Sequence, residues 1–179
     1  MGLLNRVIAF ANNLRKFMSP AVPKIDISPS VVKPKVYGTH GRLEIPELFI
    51  SVPLYDATGG ADRQRVVDDP DSAVFMHWQK QDAIADHASQ GGFSNLNMAK
   101  VKRTIATIDQ QTHKQSYVCV NSQIGHIMIS AIGNRIYDEN WEPAYTQNNG
   151  GLCIYTCIRK SANDVMDVRL TYWQPINGR

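Results

Sequence analysis

Gly150-Gly151-Leu152-Cys153-Ile154-Tyr155-Thr156-Cys157 is the stretch of sequence that says most about the fold. A pair of glycines opens a run of apolar, β-branched and aromatic residues, which favour strands. The run ends in a cysteine before a polar segment. A cysteine at a strand end is open to a substrate, and a nearby cation can shift its thiol towards the thiolate. The stretch therefore predicts a strand that presents Cys157, although free cysteines are more often buried small apolar residues than nucleophiles.

Short β-type runs separated by Gly, Asn, Asp and Pro make up the rest of the chain beyond Gly38. Eight such runs predict a closed or nearly closed antiparallel β-barrel. They are residues 42–45, 48–53, 73–78, 104–108, 116–120, 126–132, 152–158 and 165–173. Residues 93–102 favour a short helix. Residues 133–151 are too many for a simple hairpin connection and predict a loop built over a site.

The N-terminal part of the chain has a different character. Residues 3–18 predict an amphipathic helix, because one helical stripe carries Leu3, Leu4, Val7, Ala11, Leu14 and Met18. Prolines at 20, 23, 29 and 34 then indicate an extended linker. We divide the chain into this helix and linker, residues 1–37, and a barrel domain, residues 38–179. The helix either packs on the barrel or attaches peripherally to a membrane surface or a partner.

Composition narrows the class of protein. The 179 residues suffice for one barrel domain with a core, and the apolar runs are too short for a transmembrane span or a convincing signal peptide. The net charge of +3 is spread along the chain, which argues against nucleic-acid binding. Three cysteines, at 119, 153 and 157, are too few for a disulfide scaffold.

His87 and Arg169 are two further candidates for chemistry. His87 lies between a β-type run and a loop of small residues, where its imidazole is free to face a cleft and to act as acid and base near neutral pH. Arg169 interrupts an apolar strand, and beside the cysteine strand it is placed to hydrogen-bond a developing oxyanion. Each residue also has a simpler interpretation. That of His87 is a surface histidine beside a polar turn, and that of Arg169 is an exposed strand residue in a surface salt bridge.

Together these three residues resemble the active site of the sortase family. The family's I/L-x-T-C motif is present as Ile154-Tyr155-Thr156-Cys157, with a histidine 70 residues before the cysteine and an arginine 12 residues after it. Other segments fall in the family's order over residues 42–175. These are Leu43-Glu44-Ile45-Pro46-Glu47-Leu48, Val52-Pro53-Leu54-Tyr55, Ser72-Ala73-Val74-Phe75-Met76 and Phe93-Ser94-Asn95-Leu96.

The resemblance implies a mostly β, sortase-like barrel with a few short helices, and a cysteine transpeptidase. Cys157 would attack a peptide carbonyl in a sorting signal, His87 would transfer protons, and Arg169 would steady the oxyanion. Thr156, Tyr155, Trp141 and Tyr145 would contact the substrate. An amine, such as a cell-wall precursor or a pilin lysine, or else water, would resolve the thioester without any metal or organic cofactor. The family works outside the bacterial membrane, at the cell surface.

Three departures from the family pattern favour an alternative. Asp86 stands where the family has glycine, Cys153 where it has threonine, and Lys102-Arg103 where many members have Gly-Asp. A carboxylate beside His87 would favour the imidazolium if it reaches the ring. The alternative is therefore an inactive sortase-like barrel that binds a peptide or protein. A nucleic-acid-binding barrel and a Cys/His metal site are less consistent with the charge distribution and with the strand spacing of Cys153 and Cys157.

Overall fold

The computed structural model describes residues 35–98, 100–131 and 133–176. The helix predicted for residues 3–18, and the linker up to residue 34, lie outside the described residues. Within the described ranges, no helix is long and apolar enough to cross a membrane.

Nine strands and four short helices are present in the described residues. The strands are β1 (Arg42–Ile45), β2 (Ile50–Asp56), β3 (Ala73–His77), β4 (Asp82–Asp86), β5 (Ile105–Asp109), β6 (Lys114–Met128), β7 (Arg135–Tyr137), β8 (Leu152–Ala162) and β9 (Val165–Pro175). Helix α1 spans Gly60–Val67, and 3-10 helices span Pro46–Leu48, Phe93–Asn97 and Ala144–Thr146.

Eight of these strands close into a barrel, as the sequence predicts. Their order is β5-β1-β2-β3-β4-β8-β9-β6, the ring is closed by pairing of β5 with β6, and β7 adds to the far end of β6. The barrel is mixed and not wholly antiparallel, because β2 pairs with β3 and β4 pairs with β8 in parallel. Parallel neighbours need a crossover connection. The segment with α1 supplies one between β2 and β3, while β4 and β8 are far apart in the chain.

Two apolar clusters lie on the two faces of the barrel wall, because successive strand residues point to opposite sides. The inner cluster fills the barrel and contains Phe75, Ile84, Leu152, Ile154 and Trp173 among its fully buried members. The outer cluster lies beneath α1, β7 and the 3-10 helix Ala144–Thr146. It includes Val66, Ala85, Ala144, Tyr155, Val168 and Leu170.

Several elements of the structure differ from those predicted from the sequence. β4 and α1 were not among the predicted elements, and the runs 116–120 and 126–132 belong largely to one long strand, β6. The short helix expected in residues 93–102 is the 3-10 helix Phe93–Asn97. The expected loop 133–151 contains β7 and a 3-10 turn, and β7 forms one side of the cleft described below.

Candidate active site

Pairing of the parallel strands β4 and β8 places Cys157 and His87 on one side of the barrel wall. His87 follows the last residue of β4, whereas Cys157 lies in the middle of β8 and not at a strand end as the sequence predicts, because β8 continues to Ala162 in its pairing with β9. The register of β4 and β8 pairs Ala85 with Tyr155 and Asp86 with Thr156. Ala85 and Tyr155 belong to the outer cluster, and Cys157 packs against the same cluster. By strand alternation, His87, which directly follows β4, leaves the strand on this outer side as well. The two candidate catalytic residues therefore lie on the same, outer side of the barrel wall.

Both residues open into one cleft of about 850 Å³. Its floor is apolar and carries Val74, Met76, Ala85 and Tyr155 from β3, β4 and β8. One wall is α1, with Arg63, Gln64 and Val67. The opposite wall is formed by the end of β6, by β7, and by Ile129, Gly133 and Asn134 between them. A cleft of this size with an apolar floor and a few polar groups at one end is typical of a peptide or small-molecule site.

The three thiols differ in access. Cys119 and Cys153 are buried, Cys157 is half-exposed, and none of them forms a disulfide. Burial raises the pKa of all three thiols, that of Cys119 to about 11. Cys157 is therefore protonated at neutral pH in this structure, and it needs a base before it can act as a nucleophile.

The ring of His87 has an ionisable partner that the sequence did not indicate. Its Nε2 lies 3.2 Å from Oδ1 of Asp68, the residue that caps the C-terminal end of α1. Asp68 precedes the histidine by 19 residues and has no place in the motifs considered above. No sequence signal identifies it, because its position depends on how α1 docks on the barrel.

Asp86 occupies the other side of the barrel wall, and its carboxyl group contacts the backbone of His87 and not the ring. Oδ1 accepts a hydrogen bond from the backbone N–H of His87 at 2.7 Å. The side chain is buried, and Oδ2 has no hydrogen-bond partner among the described residues. Burial raises the pKa of Asp86 to about 7, against the opposing effect of the hydrogen bond from His87.

Arg169 and Thr156 lie in one row with Asp86 across three neighbouring strands. Thr156 pairs with Asp86 on β4 and with Arg169 on β9, whereas Cys157 pairs with Val168. Thr156 is fully buried, and its Oγ1 donates to the carbonyl oxygen of Asp86 at 2.8 Å. The side chain of Thr156 therefore holds the two strands together and does not face the cleft.

The guanidinium group of Arg169 is hydrogen-bonded at this inner side. Its Nε donates to Oδ1 of Asn97, at the end of the 3-10 helix Phe93–Asn97, at 3.2 Å. Arg169 is not one of the residues that line the cleft. The structure thus brings Cys157 and His87 together at the cleft and places Arg169 at the neighbouring end of the barrel, on the next strand.

Two of the three aromatic residues predicted to contact a substrate line the cleft. Tyr155 lies in the floor, stacked on Trp78 with ring centroids 5.9 Å apart, and Tyr145 lies near the rim. Trp141 is outside the cleft lining and stacks on His126, with ring centroids 4.4 Å apart. In the described residues, no group of three or more His, Cys, Asp or Glu side chains is arranged to hold a metal ion.

Known proteins resemble this chain in structure, whereas comparison of its sequence gives no match. No protein-family model matches the sequence. No curated protein matches it either. The structure is similar to that of the Group B Streptococcus pilus island 1 sortase C2, with a TM-score of 0.51 and 15% identity over 76% of this chain and 73% of that one.

Two further sortase C structures give the same result. The Streptococcus pneumoniae enzyme matches with a TM-score of 0.53 and 16% identity, over 78% of this chain and 68% of the other. Sortase C1 from Streptococcus suis matches with a TM-score of 0.51 and 14% identity, over 78% and 73% of the two chains. The fold is therefore sortase-like, as the sequence resemblance implies. At sequence identities this low, structural similarity establishes the fold alone, and activity has to be argued from the site.

Proposed function

We propose that this protein is a sortase-like cysteine transpeptidase with Cys157 as nucleophile and His87 as acid and base. The observation that carries the proposal is that a partly exposed thiol in the middle of β8 and an imidazole just after the paired parallel strand β4 line the same apolar cleft, which is large enough for a peptide. The sortase-like fold supports it, since structures with this fold include transpeptidases. The three motif residues occur in the family's order in the sequence.

The chemistry begins with proton transfer from the Cys157 thiol to His87, because burial keeps that thiol protonated. The sulfur then attacks a peptide carbonyl in the substrate and forms a tetrahedral oxyanion. His87 returns its proton to the leaving amine as the carbon–nitrogen bond breaks, which leaves a thioester on Cys157. An incoming amine, or water, attacks the thioester and gives up a proton to His87. The carbon–sulfur bond then breaks, and His87 passes its proton to the Cys157 sulfur, so the thiol is regenerated and one acyl group has been transferred.

Arg169 would stabilise the oxyanion in this scheme. A guanidinium group supplies a fixed positive charge and several N–H donors, which suit a developing negative oxygen. Its hydrogen bond to Asn97 holds the side chain at the barrel end. We infer that the group exchanges Asn97 for the substrate oxygen when a peptide occupies the cleft.

The substrate would be a peptide or protein that carries a sorting signal. The acceptor would be an amine such as a pilin lysine or a cell-wall precursor, and the site of action the outer surface of a bacterial cell. Pilin substrate specificity is described for the Streptococcus pneumoniae sortase C, which supports this class of partner. Neither metal nor organic cofactor takes part in the proposed steps.

A second candidate function is peptide or protein binding by an inactive barrel. Two observations favour it: burial raises the pKa of the Cys157 thiol, and Arg169 is engaged with Asn97 and not with the cleft. In such a protein the cleft would bind its partner, and His87 would have no effect on the thiol.

Alkylation of the thiols separates the two candidates. We expect iodoacetamide to modify Cys157 well before Cys119 and Cys153, which are buried. We expect His87→Ala to slow the modification of Cys157 at pH 7 by about tenfold, because the variant lacks the group that accepts the thiol proton. Peptide mass spectrometry at timed intervals gives all three rates from a single sample.

The two buried cysteines serve as internal controls, since His87→Ala should leave both of their rates unchanged. A Cys157 that reacts as slowly as Cys119, and is indifferent to His87, would support the inactive barrel. If Cys157 is reactive, a peptide library with hydroxylamine as acceptor comes next. A thioester on Cys157, or a hydroxamate product, would then identify acyl transfer directly.

The two exposed aromatic residues predict different effects on substrate binding. Tyr145 lines the cleft, whereas Trp141 stacks on His126 outside it. We therefore expect Tyr145→Ala to raise KM for a peptide substrate by about tenfold through lost aromatic contact. We expect Trp141→Ala to leave KM within about twofold. A larger effect of Trp141→Ala would show that the substrate extends beyond the cleft, over the segment before the 3-10 helix Ala144–Thr146.

A further inference from the structure

We propose that Asp68 is a positioning residue for His87, so that the site acts as a Cys157–His87–Asp68 relay. This inference rests on the proposed function, because it assigns a role to a carboxylate beside the proposed base. It starts from one contact, the 3.2 Å distance between Nε2 of His87 and Oδ1 of Asp68. Neither the family motifs nor the order of residues in the sequence indicates this contact.

The fold holds Asp68 at this place from two directions. Val66 of α1 is buried in the outer cluster, which fixes the C-terminal end of the helix against the barrel wall. The carbonyl oxygen of Val66 accepts a hydrogen bond from the buried Oγ of Ser72 at 3.0 Å, just before β3. The backbone N–H of Asp68 bonds back to the carbonyl oxygen of Gln64 at 2.9 Å. The backbone of Asp68 is thus fixed, although its side chain is exposed.

The side chain of Asp68 has a second donor that holds its orientation. Nε2 of Gln64 donates to the same Oδ1 at 2.8 Å, so the oxygen receives hydrogen bonds from two sides. These donors lower the pKa of Asp68 below its ordinary value, that from His87 contributing most. The group is therefore a carboxylate at neutral pH, and it has no proton to donate.

The charge state of Asp68 determines which nitrogen of His87 carries the hydrogen. A carboxylate only accepts hydrogen bonds, so Nε2 must be the donor in this contact. In the neutral ring, Nδ1 then holds the lone pair and is the nitrogen available as the base. When Nδ1 takes the proton of Cys157, the ring becomes a cation next to a carboxylate, which stabilises the thiolate–imidazolium pair.

The solvent exposure of His87 and Asp68 sets how strongly Asp68 can influence the reactivity of Cys157. Both side chains are in contact with water, at 39% exposed for His87 and 58% for Asp68. An exposed ion pair stabilises its charged form only modestly. We therefore expect loss of the Asp68 carboxylate to change the alkylation rate of Cys157 by about fivefold at most. Exposed ion pairs are also screened by salt, whereas a purely structural effect on the helix is not. Salt dependence therefore separates an electrostatic role of Asp68 from a structural one.

The test compares Asp68→Asn with Asp62→Asn in the alkylation assay. Asp62 lies on the same helix, pairs with Arg65 at 3.0 Å, and is not one of the residues that line the cleft. At about 20 mM salt, we expect Asp68→Asn to slow the alkylation of Cys157 about fivefold. At about 1 M salt, we expect the difference from the native protein to fall below about twofold. Asp62→Asn should match the native protein at both salt concentrations.

The outcomes distinguish this inference from the proposed function. If Cys157 of the native protein is unreactive, or indifferent to His87→Ala, the proposed function fails and the role of Asp68 fails with it. If Cys157 reacts in a His87-dependent way and Asp68→Asn changes nothing, only the role of Asp68 is wrong. A loss of rate in Asp68→Asn that is equal at both salt concentrations would also overturn it, because it would show a structural effect.

Discussion

Trp173→Ala is expected to lower the free energy of unfolding by about 3–5 kcal/mol, the range for removal of a large buried aromatic side chain. Trp173 is fully buried in the inner cluster, so the substitution leaves a cavity inside the barrel. Its Nε1 also donates to Oγ1 of Thr171 at 2.8 Å, and that hydrogen bond is lost. The cavity and the lost hydrogen bond act in the same direction. Urea unfolding followed by far-ultraviolet circular dichroism measures the change without relying on tryptophan fluorescence.

The sequence contains a matched control for this substitution. Trp141 is 49% exposed and stacks on His126, so Trp141→Ala removes a tryptophan from the surface and leaves no cavity. We expect it to change the free energy of unfolding by less than about 1 kcal/mol. Equal effects of the two substitutions would mean that the barrel interior is not packed around Trp173.

The barrel could be predicted from the sequence because most of its strands have a strong local signal. The first half of β8 has β-branched and aromatic residues at Ile154, Tyr155, Thr156 and Ile158, and β1 was predicted at the bounds that the structure shows. β4 was not one of the eight predicted strands, although the residues before His87 were described as β-type, because its sequence, Asp-Ala-Ile-Ala-Asp, consists mainly of residues that are uncommon in strands. It forms a strand because it lies between β3 and β8 in the barrel, with Ala83, Ile84 and Ala85 buried.

Helix α1 was also absent from the sequence prediction, for a different reason. It begins at Gly60 after a second glycine, and its larger apolar residues are only the adjacent Val66 and Val67, so no apolar stripe marks it as a helix. The buried side chain of Val66 and the partly buried side chain of Val67 attach it to the outer cluster. The position of Asp68 depends on that attachment. A contact created by docking of two elements has no counterpart in local sequence pattern.

The sequence motif predicts which candidate site residues lie on or beside the strands. It does not predict which side of the barrel wall a given side chain faces. Cys157 and His87 were singled out from the sequence, and strand pairing places both at one cleft, while their catalytic role stays a prediction. The orientation of Asp86 was not predictable, because the sequence places a carboxylate next to His87 without showing which side of the wall it occupies. In the structure, strand alternation turns it towards the barrel interior, and the carboxylate at the ring is that of Asp68.

We therefore expect the departure from the family pattern at Asp86 to affect mainly the stability of the fold. Burial raises the pKa of Asp86 to about 7 in the folded protein, whereas an unfolded chain has an ordinary Asp pKa of about 3.9. Between these values the folded state binds the proton and the unfolded state does not, so stability falls as pH rises through this window. A difference of about three pKa units corresponds to about 4 kcal/mol.

Asp86→Asn is expected to remove this pH dependence. The amide has the same shape and can still accept the hydrogen bond from the backbone N–H of His87, but it does not ionise. Relative to the native protein, we expect the variant to gain about 4 kcal/mol of stability between pH 4 and pH 8, measured by urea unfolding at both pH values. Other titrating groups are common to both proteins and cancel in this comparison. Asp71→Asn, at an exposed position, should show no such gain. If Asp86→Asn and the native protein lose stability in parallel as pH rises, the Asp86 carboxyl group ionises normally in the folded state, and the buried acid is not a feature of this barrel.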